Sequence, residues 1–308
     1  MKRILAGLAL TTAAALVTAG PAQAAPAASA DPVKALKKQF VAGQGVKLTE
    51  TTKTTIGREQ YAGDSKEGVV AFDANGVAGA EVTRTPNLSP EMRKRLEQLA
   101  EKNNDVGDTA QLLTERIYLV STGNRLYANG GLFSSLLPES KLWVGWPGSP
   151  IAAANNDQIV NVFEPDTLKT LLATAKGRSK GGSGDQYRGS ITIAQLYKVS
   201  PSFRKLIPVK PTGAPAKNAV SWRLSLDAQK LVKRIAISWS VKVTKKITLS
   251  VSTETRYSDW GSAVTVTAPP AEQVLDFKDL GKKGLKPPST IDRDYVSVPP
   301  DDEGNTIP

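Results

Sequence analysis

The feature that most constrains this chain is a period-two alternation filling its last third. Val220, Trp222, Leu224 and Leu226 alternate with Ser221, Arg223 and Ser225. Ile235, Ile237, Trp239, Val241 and Val243 alternate with Arg234, Ala236, Ser238, Ser240 and Lys242. Ile247, Leu249 and Val251 alternate with Thr248, Ser250 and Ser252, and Val264 and Val266 continue the theme. Neighbouring side chains of a strand point to opposite faces, so this segment reads as four antiparallel strands with one apolar and one wet face. The connections at 227–230 and 244–246 are short enough for hairpins.

A sheet that is apolar on one face must be covered. Upstream segments supply both more strand and the cover. Asp31-Pro32 is an N-cap followed by Pro at the first helical position, and Val33, Leu36, Phe40 and Val41 share a helical face. Strands are expected at 46–56, 69–72 and 77–85, the last two flanking an Asn75-Gly76 hairpin turn. Ser89-Pro90 opens a helix with Met92, Leu96 and Leu99 on one side. A further hairpin is expected from 117–120 and 125–128, and 132–147 reads as a loop carrying Trp143 and Trp146. A helix starts at Glu164-Pro165 and runs to about 176. Residues 177–185 read as a Gly/Ser-rich flexible loop, 187–193 as a strand, and 194–206 as a helix interrupted at Ser200-Pro201. Helices segregated to one face of an antiparallel sheet define an α+β fold. The expectation is a curved antiparallel sheet, an incompletely closed barrel, with helices over its concave face enclosing a space that is either packed or ligand-holding.

The ends of the chain read differently. Lys2 and Arg3, an apolar run from Ile4 to Val17, Pro21 and Ala22-Gln23-Ala24 have the form of a secretory signal cut after Ala24. The apolar run is shorter than the ~20 residues a membrane span needs. Residues 25–30 read as a spacer, 31–278 as one domain, and 279–308, rich in Pro, Gly and charge, as a mobile tail. No cysteine lies near the cut, so an acyl anchor has no attachment site, and an exported chain of this sequence folds without disulfides.

The net charge is +11, and it is concentrated. Between Ser202 and Leu249 stand eleven basic residues and one acid, Asp227. Arg223, Lys233, Arg234, Lys242, Lys245 and Lys246 are the candidate patch for an anionic partner, either a membrane surface or a cell-wall polymer. The alternative is a solvated sheet face. Nucleic acid is not expected, since no recognition motif is present. With no His and no Cys, the common acid–base, thiol and soft-metal sites are excluded. No phosphate-binding loop or dinucleotide fingerprint occurs, and no cofactor or metal is expected. Ser202 and Lys205 have the Ser-x-x-Lys spacing of penicillin-binding enzymes, without the companion motifs.

Several phrases resemble a known family. They are Asp31-Pro32-Val33, Gly131-Leu132-Phe133 before Leu137-Pro138-Glu139-Ser140-Lys141-Leu142-Trp143, Glu164-Pro165-Asp166-Thr167-Leu168, Tyr197-Lys198-Val199-Ser200-Pro201, and Thr255-Arg256-Tyr257-Ser258-Asp259-Trp260-Gly261 with Ala268-Pro269-Pro270. In this order, over about 31–275, they resemble the LolA-like secreted proteins and lipoproteins of actinobacteria, related to the LppX and LprG carriers. The resemblance implies an unclosed antiparallel barrel and a non-enzymatic carrier of a lipid or other amphiphile. It also admits an envelope sensor that binds a protein partner through the same fold. Many relatives begin with an acylated cysteine, which this chain lacks. The residues expected to line a cavity are Leu136, Leu137, Trp143, Trp146, Leu168, Leu172, Trp222, Leu224, Ile237, Trp239 and Leu249. Core packing competes with that role for the inward tryptophans Trp222 and Trp239. Sealing of the barrel mouth or contact with a membrane interface are the alternatives for Trp143 and Trp146. A carboxylate-based glycan hydrolase ranks last.

Overall fold

The structure, a computed structural model, describes residues 31–57, 59–100, 114–131, 133–134, 137–155, 158–181, 184–242 and 247–283. The expected signal segment, Leu136, and Lys245 and Lys246 lie outside these residues. Twelve strands form one open sheet: β1 Gln44–Ile56, β2 Glu59–Asp73, β3 Gly76–Pro86, β4 Ile117–Thr122, β5 Arg125–Gly130, β6 Trp143–Pro147, β7 Ala175–Gly181, β8 Gly184–Thr192, β9 Ala219–Leu226, β10 Val232–Lys242, β11 Thr248–Ala263 and β12 Val274–Asp276. Their spatial order is β12-β6-β5-β4-β3-β2-β1-β11-β10-β9-β8-β7. Every pairing is antiparallel except the short parallel one between β12 and β6. Strands β1–β6 with β12 on one side, and β7–β11 on the other, are joined in the sheet where β1 pairs with β11, from Gln44↔Ala263 to Ile56↔Leu249.

The alternating segment folds as read. Val220, Trp222, Leu224, Leu226, Ile235 and Ile237 are buried on one face while Ser221, Arg223 and Ser238 are exposed on the other. One correction concerns its end. β11 is a single strand of 16 residues, and Val264 and Val266 follow it outside the sheet. Their side chains occupy room left by Gly45 and Gly79, where a Cβ would come within 2.7 and 3.1 Å of them.

Three further expectations are corrected. The stretch 177–185 is not a loop; β7 and β8 pair as a hairpin through it, because backbone hydrogen bonds to β8 outweigh the poor strand propensity of Gly, Ser and Lys. The helix before it ends at Ala173, leaving Ala175 and Lys176 to the strand. The stretch 132–147 is not loop throughout, since Trp143–Pro147 inserts between β5 and β12 as β6. β2 begins at Glu59, ten residues before the expected start at 69. The regular structure also runs past 278, as a 3-10 turn Phe277–Lys283 that buries Leu280.

The helices are short, and three of them carry clear side-chain caps. They are α1 Pro32–Lys37, α2 Pro90–Ala100, α3 Pro165–Ala173, α4 Ile193–Val199, α5 Pro201–Leu206 and α6 Gly213–Lys217. Asp31 accepts from the Val33 amide at 2.9 Å as the α1 cap. Thr192 and Gln195 form a reciprocal capping box for α4. Ser200 caps α5 by accepting from the Phe203 amide at 3.1 Å. Ser202, of the Ser-x-x-Lys spacing, shares a hydroxyl contact with Ser200 at 3.2 Å, and its amide donates to Glu164 at 2.7 Å. Those contacts explain the residue as a joint between α3 and α5. Leu36, Leu168, Leu171, Leu196 and Phe203 belong to the same buried core as the sheet.

A segment without regular structure completes that core. Between Ile151 and Phe163 the chain buries Ala153, Ile159, Val160 and Val162. Polar contacts fix it to the sheet. Ser121 donates to the Pro150 carbonyl at 2.7 Å and accepts from the Ala153 amide at 3.1 Å. Gln158 donates to the Thr255 hydroxyl at 2.8 Å, which in turn donates to Glu50 at 2.6 Å. Glu50 pairs with Lys66 at 2.7 Å, both side chains essentially solvent-free, and the Lys66 ammonium reaches the Ala154 carbonyl at 3.4 Å. Burial, and then the Glu50 charge, push the neighbouring Tyr257 phenol far above its ordinary range. The buried polar positions 64 and 66 also explain why β2 has no apolar alternation in its first half.

Two predictions follow from these charges. Lys66→Met leaves the Glu50 carboxylate buried and unpaired, at an expected cost of about 3–5 kcal/mol; adding Glu50→Leu restores most of it. Urea unfolding of the single and double variants measures both effects. At the far edge, burial pushes Asp185 upward, but hydrogen bonds from Lys230 and Arg178 prevail and hold it below the usual carboxylate range. A pKa lower in the folded than in the unfolded chain stabilises above the ordinary carboxylate value, and the effect is lost as pH falls through the folded one. Asp185→Asn should therefore lower Tm at neutral pH, with the gap to the unsubstituted chain closing below about pH 4.

Candidate functional site

Between the α4–α6 segment and the ends of β9, β10 and β11 lies an apolar cavity of about 610 Å³. Its sheet wall is Val220, Trp239, Val241 and Leu249, and its helical wall includes Phe203, Ile207 and Pro215. The walls differ in origin. Inward positions of regular strands make one. The other comes from the chain after α5, where Pro208, Pro211 and Pro215 keep the segment 207–217 from extending a helix until the short α6. Thus α6 is held close to α4 without closing onto the strands.

One polar group stands out in this apolar setting. The Trp239 indole N–H is buried and has no hydrogen-bond partner among the described residues. A buried donor without an acceptor costs about 1–3 kcal/mol. The ring lines the cavity, while the N–H itself has essentially no accessible surface. Lys242 lines the cavity at its outer end. Next to the lining positions stand Val209, 78% exposed, and Ile247, 42% exposed, two of the few large apolar side chains so open to solvent. Lys210 and Lys217 flank the same segment.

The expected cavity residues divide. Trp239 and Leu249 meet in this cavity. Trp222, Leu224, Ile237 and Leu168 are buried in the core, with Leu137 and Leu172 packed against it. Gly189 makes room for the Trp222 ring, since a Cβ there would sit 2.6 Å from it. Trp146 packs among Phe133 and Phe277, with ring centroids 5.8 and 6.2 Å away, near the β12 edge. Trp143 lies on the other side of β6 against Tyr118, 5.6 Å between centroids. Burial, with a hydrogen bond to Glu81, raises the Tyr118 hydroxyl to about 12. Pattern reading missed Ile207, Pro211, Ala214 and Pro215 because they sit in a non-periodic stretch. The run of prolines was their only signal.

The expected basic residues also divide. Arg223 and Arg234 lie on outward positions of β9 and β10, Lys233 is exposed at a bulge in β10, and Lys242 is at the cavity. Glu254 pairs with Arg234 and, at 2.7 Å, with Arg256. Among the described residues no group of His, Cys, Asp and Glu side chains could hold a metal ion, and no helix is long and apolar enough to cross a membrane.

No protein-family model matches the chain, and no curated protein matches it significantly. Among solved structures it is similar to a DUF1329 family protein from Desulfovibrio piger, at 10% identity and a TM-score of 0.28, over 77% of this chain and 96% of the other. A LolA superfamily protein from Nitrosomonas europaea gives 8% and 0.25, over 78% and 93% of the two chains. A hypothetical protein from Chlamydia trachomatis gives 11% and 0.25, over 79% and 98%. Likeness at this level decides neither family nor function, which leaves the site geometry to carry the reading.

The packing makes a testable distinction. Phe203→Ala removes a fully buried ring and should cost about 3–5 kcal/mol. Trp239→Phe trims a half-buried ring and removes an N–H that has no partner among the described residues, so it should cost clearly less than Phe203→Ala. Denaturant midpoints for the two variants provide the comparison.

Proposed function

We propose that this protein is a secreted, non-enzymatic binder or carrier of an amphiphile, whose apolar chain occupies the cavity between β9–β11 and the α4–α6 segment. The observation that carries this reading is the cavity itself. It is apolar, about 610 Å³, and falls within the ~300–1,000 Å³ of typical ligand sites. The mostly apolar lining, with Asn218, Ser240 and Lys242 among its polar members, matches a ligand that is apolar with one or a few oxygen acceptors. In this reading the helices and the 151–163 segment cover the concave face of the sheet and fill most of it. Ligand space is then confined to one end.

The chemistry around the cavity favours an anionic headgroup and an anionic membrane as its source. Lys242 is placed to meet a headgroup, and Lys210 and Lys217 add charge without any acid between residues 186 and 226. Val209 and Ile247 are exposed beside these lysines, the pairing of apolar tips and cations that anionic interfaces retain.

Native mass spectrometry of gently extracted protein should show a co-purifying lipid. Ala214→Trp, which fills the cavity, should remove that mass while leaving circular dichroism unchanged. Trp239 fluorescence should shift on uptake of a fatty acid or phospholipid. A protein without added mass, whose fluorescence ignores amphiphiles, would sink the reading.

A further inference from the structure

The outward face of the β8–β11 section carries an arrangement unrelated to the cavity. Ser190 of β8 lies opposite Ser221 of β9, Ser221 opposite Ser238 of β10, and Ser238 opposite Ser252 of β11. Lys53 of β1 is opposite Ser252 and ends the row. Four hydroxyls therefore run straight across four strands, about 14 Å at the usual strand spacing. Among the described residues none of the four is hydrogen-bonded to another side chain, and three are exposed.

Two residues along each strand, the adjacent outward row begins with two arginines face to face. Arg188 is directly opposite Arg223. Like charges at directly opposed positions destabilise a sheet. Neither arginine has an ion pair among the described residues, and both are exposed. The nearest carboxylate in their row, Glu254, is engaged by Arg234 and Arg256. No acid occurs at 186–226 or 228–253. The backbone is shaped to seat one of the pair. A Cβ on Gly177 would come within 2.8 Å of the Arg188 guanidinium nitrogen Nε, so the arginine lies over a position that has no side chain. Lys176 completes the wall. The serine row, the two arginines and Lys176 line an open trough of about 690 Å³ on the sheet surface.

We infer that this trough binds a linear phosphate-bearing polyanion. Guanidinium forks recognise phosphate oxygens in bidentate fashion. Serine hydroxyls donate to the remaining oxygens and are small enough to let an extended chain lie flat. The trough is open and crosses the strands, and its hydroxyls are evenly spaced. That form fits a repeating polymer better than a single small ion. The unneutralised Arg188–Arg223 pair is compensated when phosphate lies between the two guanidinium groups.

Inorganic polyphosphate of defined length is the probe, with binding to the full chain followed by calorimetry at several salt concentrations. Arg188→Gln/Arg223→Gln should weaken binding at least about tenfold. It should also flatten the dependence of log Kd on log salt by about 1.5–2, the loss of two phosphate contacts. Its Tm should stay level or rise, because a like-charge pair has gone. Arg223→Lys keeps the charge without the fork and should weaken binding in part. Ser221→Ala/Ser238→Ala should weaken it at every salt concentration without altering the salt slope. Lys34→Gln/Lys37→Gln on α1 removes equal charge elsewhere and should change nothing. Unchanged affinity in the double arginine variant would overturn the inference. So would inorganic phosphate binding as tightly as the polymer, or phosphatidylglycerol vesicles binding through these arginines when polyphosphate does not. None of these outcomes depends on whether the cavity takes up an amphiphile.

Discussion

One pairing holds the two parts of this sheet together. β1 lies between β2 and β11 along its whole length, and without the β11 contact strands β1–β6 with β12, and strands β7–β11, share no edge. A fully buried ion pair sits at this seam. Glu50 comes from β1, Thr255 from β11 and Lys66 from β2. Thr52 and Thr253 add a hydroxyl contact at 3.3 Å across it. A buried ion pair is weak evidence for stability. It does penalise a slipped register, because a shift of one residue in β1 would send Glu50 to the solvent face and take the carboxylate away from Lys66. Position, more than energy, is what the pair secures.

The two faces of the C-terminal strands are put to different uses. Inward positions build the core and, at the ends of β10 and β11, one wall of the cavity. Outward positions build the serine and arginine rows. A period of two lets one segment serve both faces, which is why the basic residues and the apolar residues of 219–252 never compete for space. The amphiphile reading and the polyanion reading draw on opposite sides of the same strands.

Legibility in the sequence followed how each element is buried. β9, β10 and β11 were visible because their inward residues are apolar and their outward ones polar. The first half of β2 was hidden because Asp64 and Lys66 are buried there in place of apolar residues. β7 and the first residues of β8 were hidden by Gly, Ser and Lys in a stretch where main-chain pairing does the work, while the rest of β8 was read as the strand 187–193. The 151–163 segment has no period, since each apolar residue is buried individually by a chain without regular structure. At the candidate site, Trp239 and Leu249 were legible as inward strand positions. The helical wall at 207–215 was not, because prolines and alanines there face the cavity without a repeating pattern. The serine row was present in the alternation, but its straightness depends on register, which a single sequence does not display.

The seam also sets an order of events. β1 is among the first strands to be synthesised, and β11 is the last long one. Until residues 248–263 have emerged, one edge of β1 has no partner and the Glu50 carboxylate lacks the Thr255 hydroxyl. The seam therefore cannot lock until synthesis is almost complete, and it closes with a contact spanning some two hundred residues, the kind of long-range pairing that folds slowly.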